Sequence, residues 1–380
     1  MPERPREPGI ALALSGGGFR ATLFHLGTLW RLNELKLLRN LREITSVSGG
    51  SIASGWLGLR WNKLAFDTSG EAANFVELIV NPLRRFCSRT CDVQTILKGW
   101  LDPFHRPSYY LAQHYRRALF GNATLQDLPS AEEGPRFTIY ATNLQTGVSV
   151  RMTRKRLADY RIGEIPNPET PLATAVAASS AFPPLYIPLK LRIDPDAWRK
   201  LEGSHLFANP AYRRAMYLGD GGIYDNMGLE SIWDRYETVL LSDAGAPFDD
   251  RPKPGMMRVS QISRLLRTLA IIDRQSRTLR HRWLTRELQR GEMKGTFWRI
   301  GTDIDEYPLA SAGRPGPMTP HNDRTRSLAR VRTRLNCFTD QEQGWLINWG
   351  YALADAALRS HVLDAGVPMG TWPVPEYKLS

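Results

Sequence analysis

Three short stretches carry side chains or backbone suited to acyl transfer. In the first, Ser48 stands in the run Ser46-Val47-Ser48-Gly49-Gly50, after a short apolar segment and before a helix-like segment from Ser51. A serine is presented at a strand-to-helix turn only if the turn is tight, and a tight turn needs small residues two places before and after the nucleophile. Ser46 and Gly50 hold those places, with serine standing where glycine is usual. The second stretch is Ser15-Gly16-Gly17-Gly18-Phe19-Arg20. Backbone without Cβ atoms can approach a ligand oxygen closely, and a following helix adds partial positive charge. Two chemistries fit Gly16, Gly17 and Gly18: an oxyanion hole and a phosphate cradle. The lysine and Ser/Thr of a P-loop are missing and G-x-G-x-x-G is not matched, so nucleotide binding is the weaker fit.

The third stretch is Gly219-Asp220-Gly221-Gly222. A serine nucleophile needs a base or an orienting acid, and an aspartate at a strand end can be held beside one. Asp-Gly pairs also make ordinary turns, and Asp243 in Ser242-Asp243-Ala244-Gly245 occupies an equivalent chemical position. His25, His105, His114 and His205 stand in helix- or loop-like surroundings. His281, His321 and His361 follow the aspartates in the order a Ser–Asp–His triad requires, but each reads as a surface or core histidine. The pattern favours a two-residue device over a triad.

The elements that must position these residues read as an α/β chain. Residues 10–14 form an apolar strand, the glycines break it, and residues 19–38 carry Leu23, Leu26 and Trp30 at helical spacing. Residues 44–47 and the segment from Ser51 repeat the unit. Strand–turn–helix twice in succession argues for a parallel sheet covered by helices. Further strands are predicted at 137–142, 217–218 and 238–241, a small-residue helix over 172–182 ending before Pro183-Pro184, and a final helix over 340–360. Residues 258–290 read as one long helix with Ile262, Leu265, Leu266, Leu269 and Ile272 on an apolar face and Arg264, Arg267, Arg274, Arg277, Arg280 and Arg290 as its charge. Docking on anionic lipid is one use of such a helix. Packing into the protein core is the other and is slightly favoured. Residues 305–323 read as a loop. No linker divides the chain, so the expectation is one domain over 1–380, with 56–135 a helical cap or insertion and 258–380 mainly helical.

Taken together, SGGGFRA, then S-V-S-G-G, then GDGG resemble the patatin-like phospholipases, a family similar in fold and dyad to the cytosolic phospholipase A group. The resemblance continues through FTIYATNLQTG (137–147), ATAVAASSAFPP (173–184) and GDGGIYDNMGLE (219–230). It implies a three-layer α/β/α fold with a mostly parallel central sheet. It also implies Ser48 as nucleophile, Asp220 as base, Gly16, Gly17 and Gly18 as the oxyanion hole, and Arg20 as a support for that loop. Burial of such an aspartate raises its pKa toward neutrality. Ser15 departs from plant patatins, which often carry Asp there. Membrane phospholipid is the implied substrate, and some similar bacterial enzymes act as toxins or defence effectors.

Composition sets the remaining bounds. The net charge of +12 invites an anionic membrane face or nucleic acid, but no Cys/His finger, RNP-like strand or basic zipper accompanies it. Three cysteines, Cys87, Cys91 and Cys337, are too few for a disulfide framework and fit a reducing compartment. Cys87 and Cys91 lack a second ligand pair, so no metal and no cofactor is expected. No secretory leader and no apolar run of spanning length is read, which gives the expectation of a soluble, cytoplasmic protein that meets the membrane peripherally. The alternative to a lipid acyl hydrolase is a non-catalytic phosphate- or nucleotide-binding module built on the glycine loop.

Overall fold

The structure, a computed structural model, describes residues 5–184, 186, 188–248, 250, 261–310 and 313–379. Ten strands form one sheet: β1 Glu7–Leu14, β2 Leu41–Ser46, β3 Arg136–Asn143, β4 Val148–Met152, β5 Arg156–Asp159, β6 Gly163–Pro166, β7 Leu189–Arg192, β8 Ala215–Asp220, β9 Tyr236–Asp243 and β10 Lys294–Arg299. The order β10-β9-β1-β2-β3 is parallel throughout. An antiparallel wing, β4-β5-β6, extends it beyond β3. The parallel strands read as apolar runs because both their faces are covered. In β1, Leu12 and Leu14 enter one buried cluster while Ala11 and Ala13 enter the other, as the pleat requires.

Helices make the outer layers of this α/β/α sandwich. The first cluster is closed by α1 Gly18–Glu34, α2 Gly49–Arg60 and α6 Leu172–Ser179, together with α11 Asp340–His361, which packs along α1. Between α2 and β3 lie α3 Asn81–Cys87, α4 Asp92–Leu101 and α5 Pro107–Tyr115. The short helices α7 Pro210–Arg214 and α8 Gly222–Asp225 flank β8, and α10 Asp323–Leu328 precedes α11. The second cluster holds Leu229 and Ile232 together with Leu284 of α9, Gln261–Arg290.

Helix α9 corrects one expectation. Only its last turns, with Trp283, Leu284 and Leu288, pack into the core. Leu265, Ile272 and Leu279 are each more than half exposed. Of its arginines, Arg277 pairs with Asp243 at the end of β9, and Arg280 with Asp225 of α8 and with Glu230 just after it. Residues 258–260 and the side chain of Ile262, assigned to this helix from its periodicity, lie outside the described residues. The stretch 258–380 is also not helical alone, since β10 adds an edge strand beside β9.

Candidate active site

Chain topology brings the three motifs to one place. Strand β2 runs along one edge of β3 and ends with Ser46 opposite Ile139. Strand β8 runs the opposite way along the same edge and ends with Asp220 opposite Ala141. The two strand ends therefore meet head to head, with Ser48 just past one and Asp220 at the tip of the other. The β1–α1 glycine loop lies alongside: a Cβ on Gly16 would sit 3.2 Å from that of Ser48.

Ser48 has φ 52° and ψ −119°, a left-handed conformation that a side chain adopts at a cost of about 1–3 kcal/mol. The turn is enforced from both sides. A Cβ on Gly49 would lie 2.0 Å from the Gly18 carbonyl oxygen, and one on Gly50 would lie 2.5 Å from that of Leu14. Ser46 is accommodated because its hydroxyl is used: it accepts from Ser51 and from Ser54 at 2.8 Å. Ser51 in turn meets Ser179 of α6 at 2.9 Å, and the Ser179 hydroxyl accepts the Ser48 N–H at 2.9 Å. This chain of hydroxyls anchors the nucleophile turn to α6.

Asp220 is almost wholly buried, and Ser48 is 9% exposed. The Asp220 carboxylate accepts the Gly222 N–H at 2.7 Å, and the Ser48 side chain beside it also favours its ionised form. Desolvation dominates over both influences and pushes its pKa up to about 7, helped slightly by the charge of Asp273 on α9. Its backbone is pinned by N–H donation to the Ala181 carbonyl and by the Thr142 hydroxyl, which donates to the Asp220 carbonyl at 2.9 Å. A serine beside a carboxylate poised near neutrality can pass it a proton at physiological pH.

Asp243, the rival aspartate, is otherwise engaged. It is fully buried and accepts from Arg277 at 2.8 Å, from His281 at 3.0 Å and from the Gly245 N–H at 2.8 Å. Although burial opposes ionisation, the charges and hydrogen bonds of Arg277 and His281 prevail and hold its carboxyl well below the usual range. His281 is thus spent on Asp243. His321 faces Asp303, and His361 stacks edge-on near Tyr307. None of the three is hydrogen-bonded to Ser48 or Asp220.

The glycine loop divides its labour. The Gly16 N–H donates to the Asn226 carbonyl at 3.0 Å, so it fastens the loop and is not open to a ligand, contrary to the expectation for this residue. Gly17 (φ 146°) and Gly18 (φ 59°) hold conformations that favour glycine, and their N–H groups take no partner among the described residues. Arg20 is buried and donates to the carbonyls of Val331 at 2.7 Å and Ala244 at 2.8 Å, clamping the two segments that border the loop. Ser15 accepts the Ala244 N–H at 2.8 Å. His25, held neutral by burial with a pKa near 4, bridges the Ser15 carbonyl and the Ser242 hydroxyl, each at 2.9 Å.

Sequence reasoning missed Ser179, Asn226, His25 and Asp273. The first three lie in stretches already singled out, yet only their contacts give them roles. The Asn226 side chain wedges between Gly16 and Gly222, where a Cβ would come within 2.2 Å and 2.6 Å of its Oδ1. Among the described residues no group of three or more His, Cys, Asp or Glu could hold a metal ion, and no helix is long and apolar enough to cross a membrane.

A strained serine turn, a buried aspartate and a glycine-rich helix entrance thus stand together on one mostly parallel sheet of an α/β fold. The chain belongs to the patatin-like phospholipase family, whose model matches residues 12–233. No curated protein matches it in sequence. Among solved structures, human GIVD cytosolic phospholipase A2 in complex with methyl gamma-linolenyl fluorophosphonate shares the fold, with a TM-score of 0.52, 11% identity, and coverage of 93% of this chain and 58% of that one. The same human enzyme in another structure gives 0.49, 11%, 93% and 61%. VipD from Legionella pneumophila gives 0.37, 15%, 94% and 68%. The chain spans about three fifths of the length of the human structures.

Proposed function

We propose that this protein is a lipid acyl hydrolase that cleaves fatty-acyl esters of membrane phospholipids with a Ser48–Asp220 dyad. The observation that carries the reading is the strained Ser48 turn meeting, head to head, the strand end that carries Asp220, a buried carboxylate whose pKa stands at about 7. Ser48 Oγ attacks the ester carbonyl and Asp220 accepts its proton. The Gly17 and Gly18 N–H groups receive the oxyanion, with Gly16 fastening the loop behind them and Arg20 clamping its borders. The carbon–oxygen bond to the lysolipid or alcohol breaks, and the proton returns from Asp220 to the leaving oxygen. Water, deprotonated by the same aspartate, then releases the fatty acid.

The enzyme acts from the aqueous phase of the cytoplasm on an anionic membrane face. The net charge of +12 and the exposed Leu265, Ile272 and Leu279 on arginine-rich α9 support that peripheral contact. The three free cysteines fit a reducing compartment. An alkyl fluorophosphonate tests the nucleophile: Ser48 Oγ should displace fluoride and carry the phosphonyl group, located by peptide mass spectrometry. Labelling at another serine, with Ser48 untouched in folded protein, rejects the reading.

A further inference from the structure

Helix α4 leaves one face bare beside the site. Val93, Leu97, Trp100 and Leu101 fall at helical spacing, and Phe104 continues the line in the following turn. Trp100, Leu101 and Phe104 are 69%, 83% and 88% exposed. Solvating so many large apolar groups on one short helix is unusual for a surface with no partner. The turn that presents them is ordered: the Asp102 carboxylate accepts the Phe104 N–H at 2.7 Å, the Tyr110 hydroxyl at 2.6 Å and His105 at 2.8 Å.

The opposite face ties α4 to the candidate active site by two routes. The Cys91 and Asp92 N–H groups donate to the Leu335 carbonyl, and the adjacent Arg334 carbonyl accepts the Phe19 N–H at the start of α1. Thr95 meets the Tyr186 hydroxyl at 2.7 Å, and Tyr186 belongs to the segment whose Ala181 carbonyl accepts the Asp220 N–H. Phe182, next along that segment, is itself 57% exposed. Lys98 on α4 and Arg85, Arg89 and Arg106 in the flanking sequence are exposed, whereas the two acids of this stretch, Asp92 and Asp102, are buried or spent on the turn.

We propose that the apolar face of α4 and its 101–104 turn insert into an anionic bilayer and set the entrance of the Ser48 site against the lipid surface. Exposed apolar side chains with exposed cations close by in the sequence match the acyl and phosphate layers of such a bilayer. The inference rests on the lipid-hydrolase reading for its purpose, but its test does not depend on turnover.

Catalytically silent Ser48→Ala protein is mixed with phosphatidylcholine vesicles, with and without phosphatidylglycerol. On the anionic vesicles, the component of tryptophan emission lost in Trp100→Phe should move to the blue and be quenched by brominated acyl chains. Leu101→Asp with Phe104→Asp should lower the bound fraction about tenfold or more, while hydrolysis of a soluble short-chain ester by the same pair in the Ser48 parent stays unchanged and shows an intact fold. Undiminished vesicle binding by the pair overturns the proposal, as does a Trp100 that stays in water. So does loss of self-association, in place of vesicle binding, in sedimentation of the pair. A parent silent on every ester would fail the hydrolase reading and leave the vesicle result to decide docking alone.

Discussion

The chemistry proposed at Ser48 depends on a carboxylate that resists ionisation. With a pKa of about 7, Asp220 is a competent base only once it has lost its proton, so kcat/KM should rise with pH through a limb near 7. Asp273→Asn removes a charge that raises this pKa and should move the limb toward acid. The same burial has a stability cost. The folded pKa lies above the value of 3.8 for an ordinary aspartate, so the native state favours the protonated acid. Stability from this group is full below about pH 4 and is lost as pH rises to about 7. The difference corresponds to about 4 kcal/mol. Asp220→Asn should therefore be inactive yet melt higher than the parent at pH 8, with the gap closing below pH 4, as calorimetry would read. Lower thermal stability at pH 8 would mean that Asp220 is held ionised by partners other than those seen.

At the scale of elements, β1, β2 and the glycine turns could be read from sequence because everything they need is local. An apolar run, small residues that permit a tight turn, and a helical period follow one another within a few residues. Ser46 in place of glycine was legible as a small substitution, but its use was not. Its partners Ser51 and Ser54 are close in sequence, whereas the Ser179 hydroxyl that completes the chain is 131 residues from Ser48. Choosing between Asp220 and Asp243 likewise needed contacts between distant segments, since Arg277 and His281 reach Asp243 from α9. The wing strands β4 to β6 were missed because they are short: β4 alternates over only five residues, and β5 (RLAD) and β6 (GEIP) have four residues each, too few to show a period. The exposed half of α9 was misjudged because an apolar stripe has the same period whether a core or another surface covers it. Arg277 is what fastens that helix to the sheet end. Replacing it by Gln breaks a buried pair and should cost about 3 kcal/mol in denaturant unfolding. An unchanged midpoint would show that α9 is held by its apolar last turns alone.

For the whole molecule, β1 and β2 of the parallel sheet and the antiparallel β8 bring the candidate site together, and the net positive charge bears on where it would work. On the proposed reading the net charge of +12 would draw the chain to an anionic bilayer, and such attraction is screened by salt over about 10 Å at 0.1 M and about 3 Å at 1 M. Partitioning onto vesicles containing phosphatidylglycerol should therefore weaken steeply as salt is raised, while turnover of a soluble monomeric ester changes little. Parallel losses of both would point to salt acting on the site and not on docking.

The central claim is that one serine and one aspartate carry the reaction. Fatty-acid release from mixed phospholipid vesicles, in the presence of EDTA, tests it most directly when the parent is run beside Ser48→Ala, Asp220→Asn and His281→Ala. The account predicts release by the parent, measurable release by His281→Ala, and none by the other two. Turnover surviving in folded Asp220→Asn, or lost in folded His281→Ala while Asp243 remains in place, would contradict it.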